Sequence, residues 1–146
     1  MRIHKGAAVE EHVLADVDSL TFYDAPPAGM VWIPPGNVRL GQTSVAEPVH
    51  DFYVEGFYID RYEVSNAKYK TFIDAGGYTI ETYWNPVGWA WRMANSVTLP
   101  GAWNDPTFHG GGIVGNELFP VSGTSWWEAD AYCRWAGRRL PTEAEW

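Results

Sequence analysis

The last stretch of the chain, FPVSGTSWWEADAYCRWAGRRLPTEAEW over residues 119–146, leaves its backbone few options. Ser125 stands three residues before Glu128, the spacing of a capping box. There the hydroxyl takes an unpaired N–H at the helix start and the carboxylate reaches back to the cap. This predicts a helix over 126–136, with Gly137 as its left-handed stop. At helical spacing Trp126, Ala129, Tyr132, Cys133 and Ala136 share one face. Asp130 and Arg134 stand four apart, an ion pair worth roughly a few tenths of a kcal/mol. After Leu140-Pro141, Thr142 and Glu145 repeat the capping-box spacing and announce a second helix, and the sequence stops at Trp146. The expectation is that 29–146 is the N-terminal part of a larger domain, incomplete at its C-terminus, with the remainder of that domain as its packing partner. Residues 1–28 read as an N-terminal arm or linker.

Within 1–28, Val9, Val13, Leu14 and Val17 fit one helical stripe or a mobile arm, and Pro26-Pro27 with Gly29 closes the segment. Met30–Ile33 is a short apolar strand. Pro34-Pro35-Gly36 follows, and then Val38 and Leu40 alternate with polar residues. These read as two strands at a sheet edge, with the prolines stopping further pairing. In DFYVEGFYID (51–60), Phe52 and Val54 share one phase while Phe57 and Ile59 share the other. A bulge at Gly56 would turn both pairs toward one core. Ser65 then caps a helix ending at Ala75. Val64 and Tyr69 form a hydrophobic staple, Tyr69, Phe72 and Ile73 are its buried stripe, and Gly76-Gly77 is its end.

Residues 78–118 show little regular pattern. They carry Tyr83, Trp84, Trp89, Trp91 and Trp103 among Asn, Pro and Gly. Loops this long are held down by their own side chains or are functional. Inward-facing indoles are the favoured reading; a binding platform for sugars or cations is the alternative.

Potential chemistry is thin. His50 has no metal-ligand companion at a recognisable spacing and reads as solvated. Asp60, Arg61 and Glu63 cluster at a helix entrance, where acids are stabilised by the helix dipole, so helix-entry electrostatics is favoured over a carboxylate site. Asp105 and His109 lack a third ligand. Gly110–Gly112 lacks the Lys and Ser/Thr of a phosphate loop. No residue is assigned a catalytic, cofactor-binding or metal-binding role.

The 146 residues suffice for one domain with a core, and 46 % are hydrophobic, including nine Trp, which sets the chain apart from disordered sequences. A net charge of −8 argues against nucleic acid. No run of eighteen apolar residues suits a membrane span. The single cysteine, Cys133, makes no internal disulfide, and 1–20 has no stretch apolar enough for a secretory signal; both lean toward a reducing, cytoplasmic setting.

Several segments together resemble the formylglycine-generating enzyme (sulfatase-modifying factor) family. They are GMVWIPPG (29–36), FYIDRYEVSNA (57–67), Gly76-Gly77-Tyr78 and, most specifically, SW at 125–126 with AYCRWAGRRLPTEAEW (131–146). The resemblance spans about 29–146. It implies an irregular α+β fold of the C-type-lectin-like kind. It also implies, for the full-length protein, an oxidoreductase acting on a cysteine or thiol, with a protein or peptide as one substrate. Some family members use copper held by a cysteine pair, which would fall beyond Trp146. The sulfoxide-synthase members add a helical bundle with non-haem iron, which His4 and His12 do not supply. Cys133 matches the helix cysteine of AYCxW instead, and packed with Trp126 and Tyr132 it reads as an inert thiol. The alternative from a different class is a non-catalytic lectin-like binding module that uses the aromatic loops at 83–103.

Overall fold

A computed structural model describes residues 26–41 and 49–146, together with two short strands near the N-terminus. Those strands, β1 (Ile3–Lys5) and β2 (Ala8–Glu10), pair antiparallel. Val9 therefore lies in a strand, against the helical stripe expected there. The rest of that stripe, Val13, Leu14 and Val17, lies outside the described residues, as does His12.

Next come β3 (Met30–Ile33), β4 (Gly36–Leu40), β5 (His50–Val54) and β6 (Phe57–Asp60). β3 pairs with β6 and β4 with β5, both antiparallel. The prolines split the ribbon as expected, but no bulge forms at Gly56. Ile33 opposes Phe57 and Gly36 opposes Val54, so Pro34-Pro35 faces Glu55-Gly56 two against two and the register carries across. A bulge needs one residue more on one side. Gly56 is explained by packing instead: a β-carbon there would collide with the Trp32 ring. Trp32 lies directly opposite Tyr58, with ring centroids 4.9 Å apart.

Helix α1 (Asn66–Asp74) starts where Ser65 predicts, its hydroxyl accepting from the Lys68 N–H at 3.3 Å. Two of the free N–H groups of its first turn go to a distant loop. Asn66 donates to the Phe119 carbonyl and Ala67 to that of Glu117. Gly76, at φ +84°, ends the helix as expected.

The stretch expected to be irregular contains a further helix, α2 (Pro86–Ala94), and two 3-10 turns, Glu81–Tyr83 and Pro106–Phe108. The Asn85 side chain caps α2 by accepting from the Gly88 N–H at 2.8 Å, and Pro86 fills the first helical position. Gly88 and the Trp and Val residues disguise the helical period.

Helix α3 (Trp126–Trp135) carries the expected capping box, and Gly137 is left-handed at φ +69°. Its buried face is the expected one only in part: Tyr132 packs inward and Cys133 is half-buried, but Trp126 is 60 % exposed and Ala136 is exposed, whereas Glu128 and Ala131 are buried and Trp127 and Trp135 pack inward. The face turned because Glu128, counted as polar, spends its carboxylate inside the protein. Thr142 and Glu145 also form the expected reciprocal pair, at 2.8 Å and 3.3 Å.

Tyr69 and Phe72 of α1 meet Ala131 of α3, with Tyr78, Trp84 and Trp103 closing the core. Tyr69 stacks on Tyr132 at 5.3 Å, and Phe72 meets Trp135 at 5.6 Å. Full burial of each such ring contributes about 1.5–3 kcal/mol. No helix among the described residues is long and apolar enough to cross a membrane.

Candidate functional site

Two polar side chains are buried among the described residues, Asn66 and Glu128, and each organises a junction. Glu128 sits in the first turn of α3. Its Oε2 accepts from the Ser125 N–H at 2.8 Å and the Ser125 hydroxyl at 2.7 Å. Its Oε1 accepts from the Tyr78 hydroxyl at 2.6 Å. Tyr78 has one proton and gives it to Glu128, so the 3.2 Å contact between the two phenols is a donation from Tyr69 to Tyr78. Burial first, and the neighbouring Tyr69 second, hold the Tyr78 phenol far above its ordinary range. Burial does the same to Tyr69, partly offset by its bond to Tyr78. Both rings are neutral donors at all ordinary pH.

Ser125 and Glu128 also line an open cleft of about 680 Å³. Trp91, Val97 and Leu99 give it apolar lining, and Thr124 adds a hydroxyl. The chain Tyr69–Tyr78–Glu128–Ser125 thus runs from the core to this cleft.

A second junction lies on the other side of α3. Asn85, while capping α2, donates through Nδ2 to Asp130 at 2.6 Å, and Arg134 donates to the same oxygen at 2.9 Å. The expected Asp130–Arg134 pair is therefore part of a three-residue bridge between α2 and α3. Asp60 of β6 pairs with Arg138 just past α3. The half-buried Cys133 thiol is pushed up, by burial first and then by Asp130 and Asp60, with Arg138 pulling the other way. A thiol kept protonated is a poor nucleophile and a poor metal ligand, which agrees with the inert reading.

The remaining candidates fall to structural roles. His50 is exposed at the start of β5, with its ring edge toward Phe52 at 6.2 Å. Asp60 is taken by Arg138, while Arg61 and Glu63 are exposed, so no carboxylate site assembles. Asp105 caps a 3-10 turn by accepting from the Thr107 N–H, and His109 stacks on Phe119 at 4.1 Å. Gly110–Gly112 packs on Trp103 and its neighbours, where added β-carbons would collide. The aromatic loops turn largely inward: Trp84 and Trp103 are buried, and Tyr83, Trp89 and Trp91 pack partly buried against the core, with Trp91 also lining the cleft. The link between Tyr78 and Glu128, 50 residues apart, left no signal in the sequence.

No group of three or more His, Cys, Asp or Glu among the described residues is placed to hold a metal ion. With its lone, protonated cysteine, this set does not fit a copper or non-haem iron centre.

Fold and site together define a mixed α and β domain with an aromatic interior, braced by buried carboxylate and amide side chains. The family model of the sulfatase-modifying factor enzyme 1-like domain matches residues 19–146. The chain belongs to this family. It is 40 % identical over 129 residues to a hercynine oxygenase of Mycolicibacterium smegmatis, covering 80 % of this chain and 30 % of that protein. It is 35 % identical over 144 residues to a formylglycine-generating enzyme of Thermomonospora curvata, covering 81 % and 47 %. The mouse formylglycine-generating enzyme is also 35 % identical, over 138 residues, covering 82 % and 37 %. The chain thus spans less than half the length of each of these relatives.

Proposed function

We propose that the full-length protein is an oxidoreductase acting on a cysteine or another thiol, and that this chain supplies the rigid, C-type-lectin-like scaffold of its domain. The observation that carries this reading is the similarity to enzymes of two names, hercynine oxygenase and formylglycine-generating enzyme, across four fifths of the chain. The short ribbons, few helices and long loops pinned by indoles support the lectin-like assignment. The burial of Trp84 and Trp103 favours this reading over a sugar-binding module. In this reading the metal ligands lie outside the described residues, and copper or non-haem iron supplies the oxygen chemistry when bound. The residues described here set the shape and the buried charge of the scaffold. The half-buried single thiol suits a reducing, cytoplasmic location.

The test is turnover by the full-length protein under oxygen. One arm offers a cysteine-bearing peptide with Cu(I), read as a new aldehyde by mass spectrometry. The other offers hercynine and a thiol with Fe(II), read as a sulfoxide. Oxygen-dependent product in either arm supports the proposal and selects the branch. No product in both, from folded and metal-loaded protein, refutes it.

A further inference from the structure

The open cleft beside Glu128 carries an inference that deepens the proposed function and rests on it only for the chemistry done to the ligand. We propose that this cleft holds an extended polypeptide by its main chain, so that the thiol acted on is a cysteine residue within a peptide or protein. Residues 98–101 form one wall of the cleft and 123–125 the other.

One main-chain bond joins the two walls, from the Gly101 N–H to the Gly123 carbonyl at 2.9 Å. Beyond it they do not pair. The N–H and carbonyl of Thr98, of Leu99 and of Thr124 have no partner among the described residues. Leu99 and Thr124 are half-buried, where an unpaired main-chain group costs more than at an open surface. Free donors and acceptors along facing segments are what a sheet edge offers to an added strand. An extended chain laid between the walls brings one carbonyl and, proline apart, one N–H per residue to meet them.

The wall at 98–101 is also built with local strain. Ser96 enters it at φ +51°, a left-handed angle uncommon for a residue with a β-carbon. Val97 then donates its N–H to the Arg92 carbonyl, which ties the wall to the end of α2. Strained backbone held by a rigid element gathers at ligand sites.

Charge selects the ligand. The lining has no Lys, Arg or His, and its one acidic side chain, Glu128, is taken by Ser125 and Tyr78. A small amino thiol with a carboxylate and an ammonium group would find no partner here for either charge, and desolvating them unpaired is costly. A peptide segment presents neutral amides instead, while Trp91, Val97 and Leu99 take its apolar side chains. The volume of about 680 Å³ lies within the range of ligand-holding clefts, about 300–1,000 Å³.

The experiment reads binding alone. Full-length protein without added metal is mixed with α-lactalbumin that has been reduced and capped with iodoacetamide, an unfolded acidic chain with no free thiol. Both partners are acidic, so charge attraction does not drive the association. Titration calorimetry reads the affinity, and hydrogen exchange reads the amides. The Thr98, Leu99 and Thr124 amides should exchange on the order of tenfold more slowly in the complex, the mark of new hydrogen bonds. Gly101→Leu fills the cleft, because a β-carbon there meets nothing nearer than the Gly123 carbonyl at 3.4 Å. It should weaken binding by about tenfold or more. Thr98→Trp, at an exposed position of the same wall, should do the same and decides the matter if Gly101→Leu does not fold. No binding, protection only away from these amides, or unchanged affinity in a folded variant overturns the proposal. Binding at the cleft without turnover in either oxygen arm sinks the oxidoreductase reading and leaves the groove standing; turnover without protection at the cleft does the reverse.

Discussion

Truncating Glu128 to Ala tests the energetic reading of the buried network. Three donors converge on this carboxylate: the Ser125 N–H, the Ser125 hydroxyl and the Tyr78 hydroxyl. The two from Ser125 border the cleft, so water replaces their partner, and the loss there is that of a capping box, about 1 kcal/mol. The phenols have no such relief. Tyr78 can turn its proton to Tyr69, but Tyr69 then has none to accept it, and one buried donor stays unpaired at about 1–3 kcal/mol. The lost methylene adds about 0.8 kcal/mol. The expected cost of Glu128→Ala is about 3–5 kcal/mol, read by urea unfolding, with a fall in Tm on the order of 10 °C. Glu128→Gln provides the control. Its amide oxygen takes the Tyr78 proton, so both phenols stay paired, and its amino group donates to the Ser125 hydroxyl while water at the cleft takes the Ser125 N–H. Charge assistance and one cap bond are lost, about 1–1.5 kcal/mol. A cost for Ala equal to that for Gln, or below about 1 kcal/mol, would refute the claim that an orphaned phenol dominates.

Other outcomes follow from single contacts. Ser125→Ala should cost about 1 kcal/mol in the same unfolding assay, since it removes the cap while Glu128 keeps Tyr78. Gly77→Ala places a β-carbon 2.7 Å from three atoms of the buried Phe72 ring and should cost about 1–3 kcal/mol; a neutral result would mean the ring yields freely. Cys133 should react with a disulfide reagent far more slowly than a small free thiol at neutral pH and catch up in urea; fast native labelling would contradict its burial. Arg139 holds the Glu145 carboxyl down at about 2. A lowered folded pKa means the contribution is fully present above the ordinary carboxylate range and fades as pH falls toward 2. Acid titration should therefore loosen the 142–146 turn in wild type, and Glu145→Gln should remove that dependence. The effect will be small because Arg139 is exposed.

The sequence read best where a backbone N–H is served by a side chain three residues away. Ser65 and the Ser125–Glu128 pair located α1 and α3 to within a residue, because capping is local chemistry. The same logic is present in Asn85-Pro86, but Gly88 and the surrounding indoles hide the helical period of α2. Periodicity misjudged the inner face of α3 because it counts Glu as outward, whereas Glu128 is held inside by Tyr78, which no local rule can pair with it. The assumed bulge at Gly56 failed likewise: the glycine answers to Trp32 across the ribbon rather than to its own backbone angles. The candidate site was illegible for the same reason, since its partners come from segments 50 residues apart.

Asn66 has a consequence for motion. Its side-chain amide donates to the carbonyls of His109 and Asn116 at 2.8 Å each, while the N–H groups of Asn66 and Ala67 hold Phe119 and Glu117. Amides in the opening turn of a helix usually trade their hydrogens with solvent quickly, having no carbonyl behind them. Here those two should trade slowly and in step with the Asn116 loop. Detaching that loop and fraying the head of α1 are then one event with a common free energy.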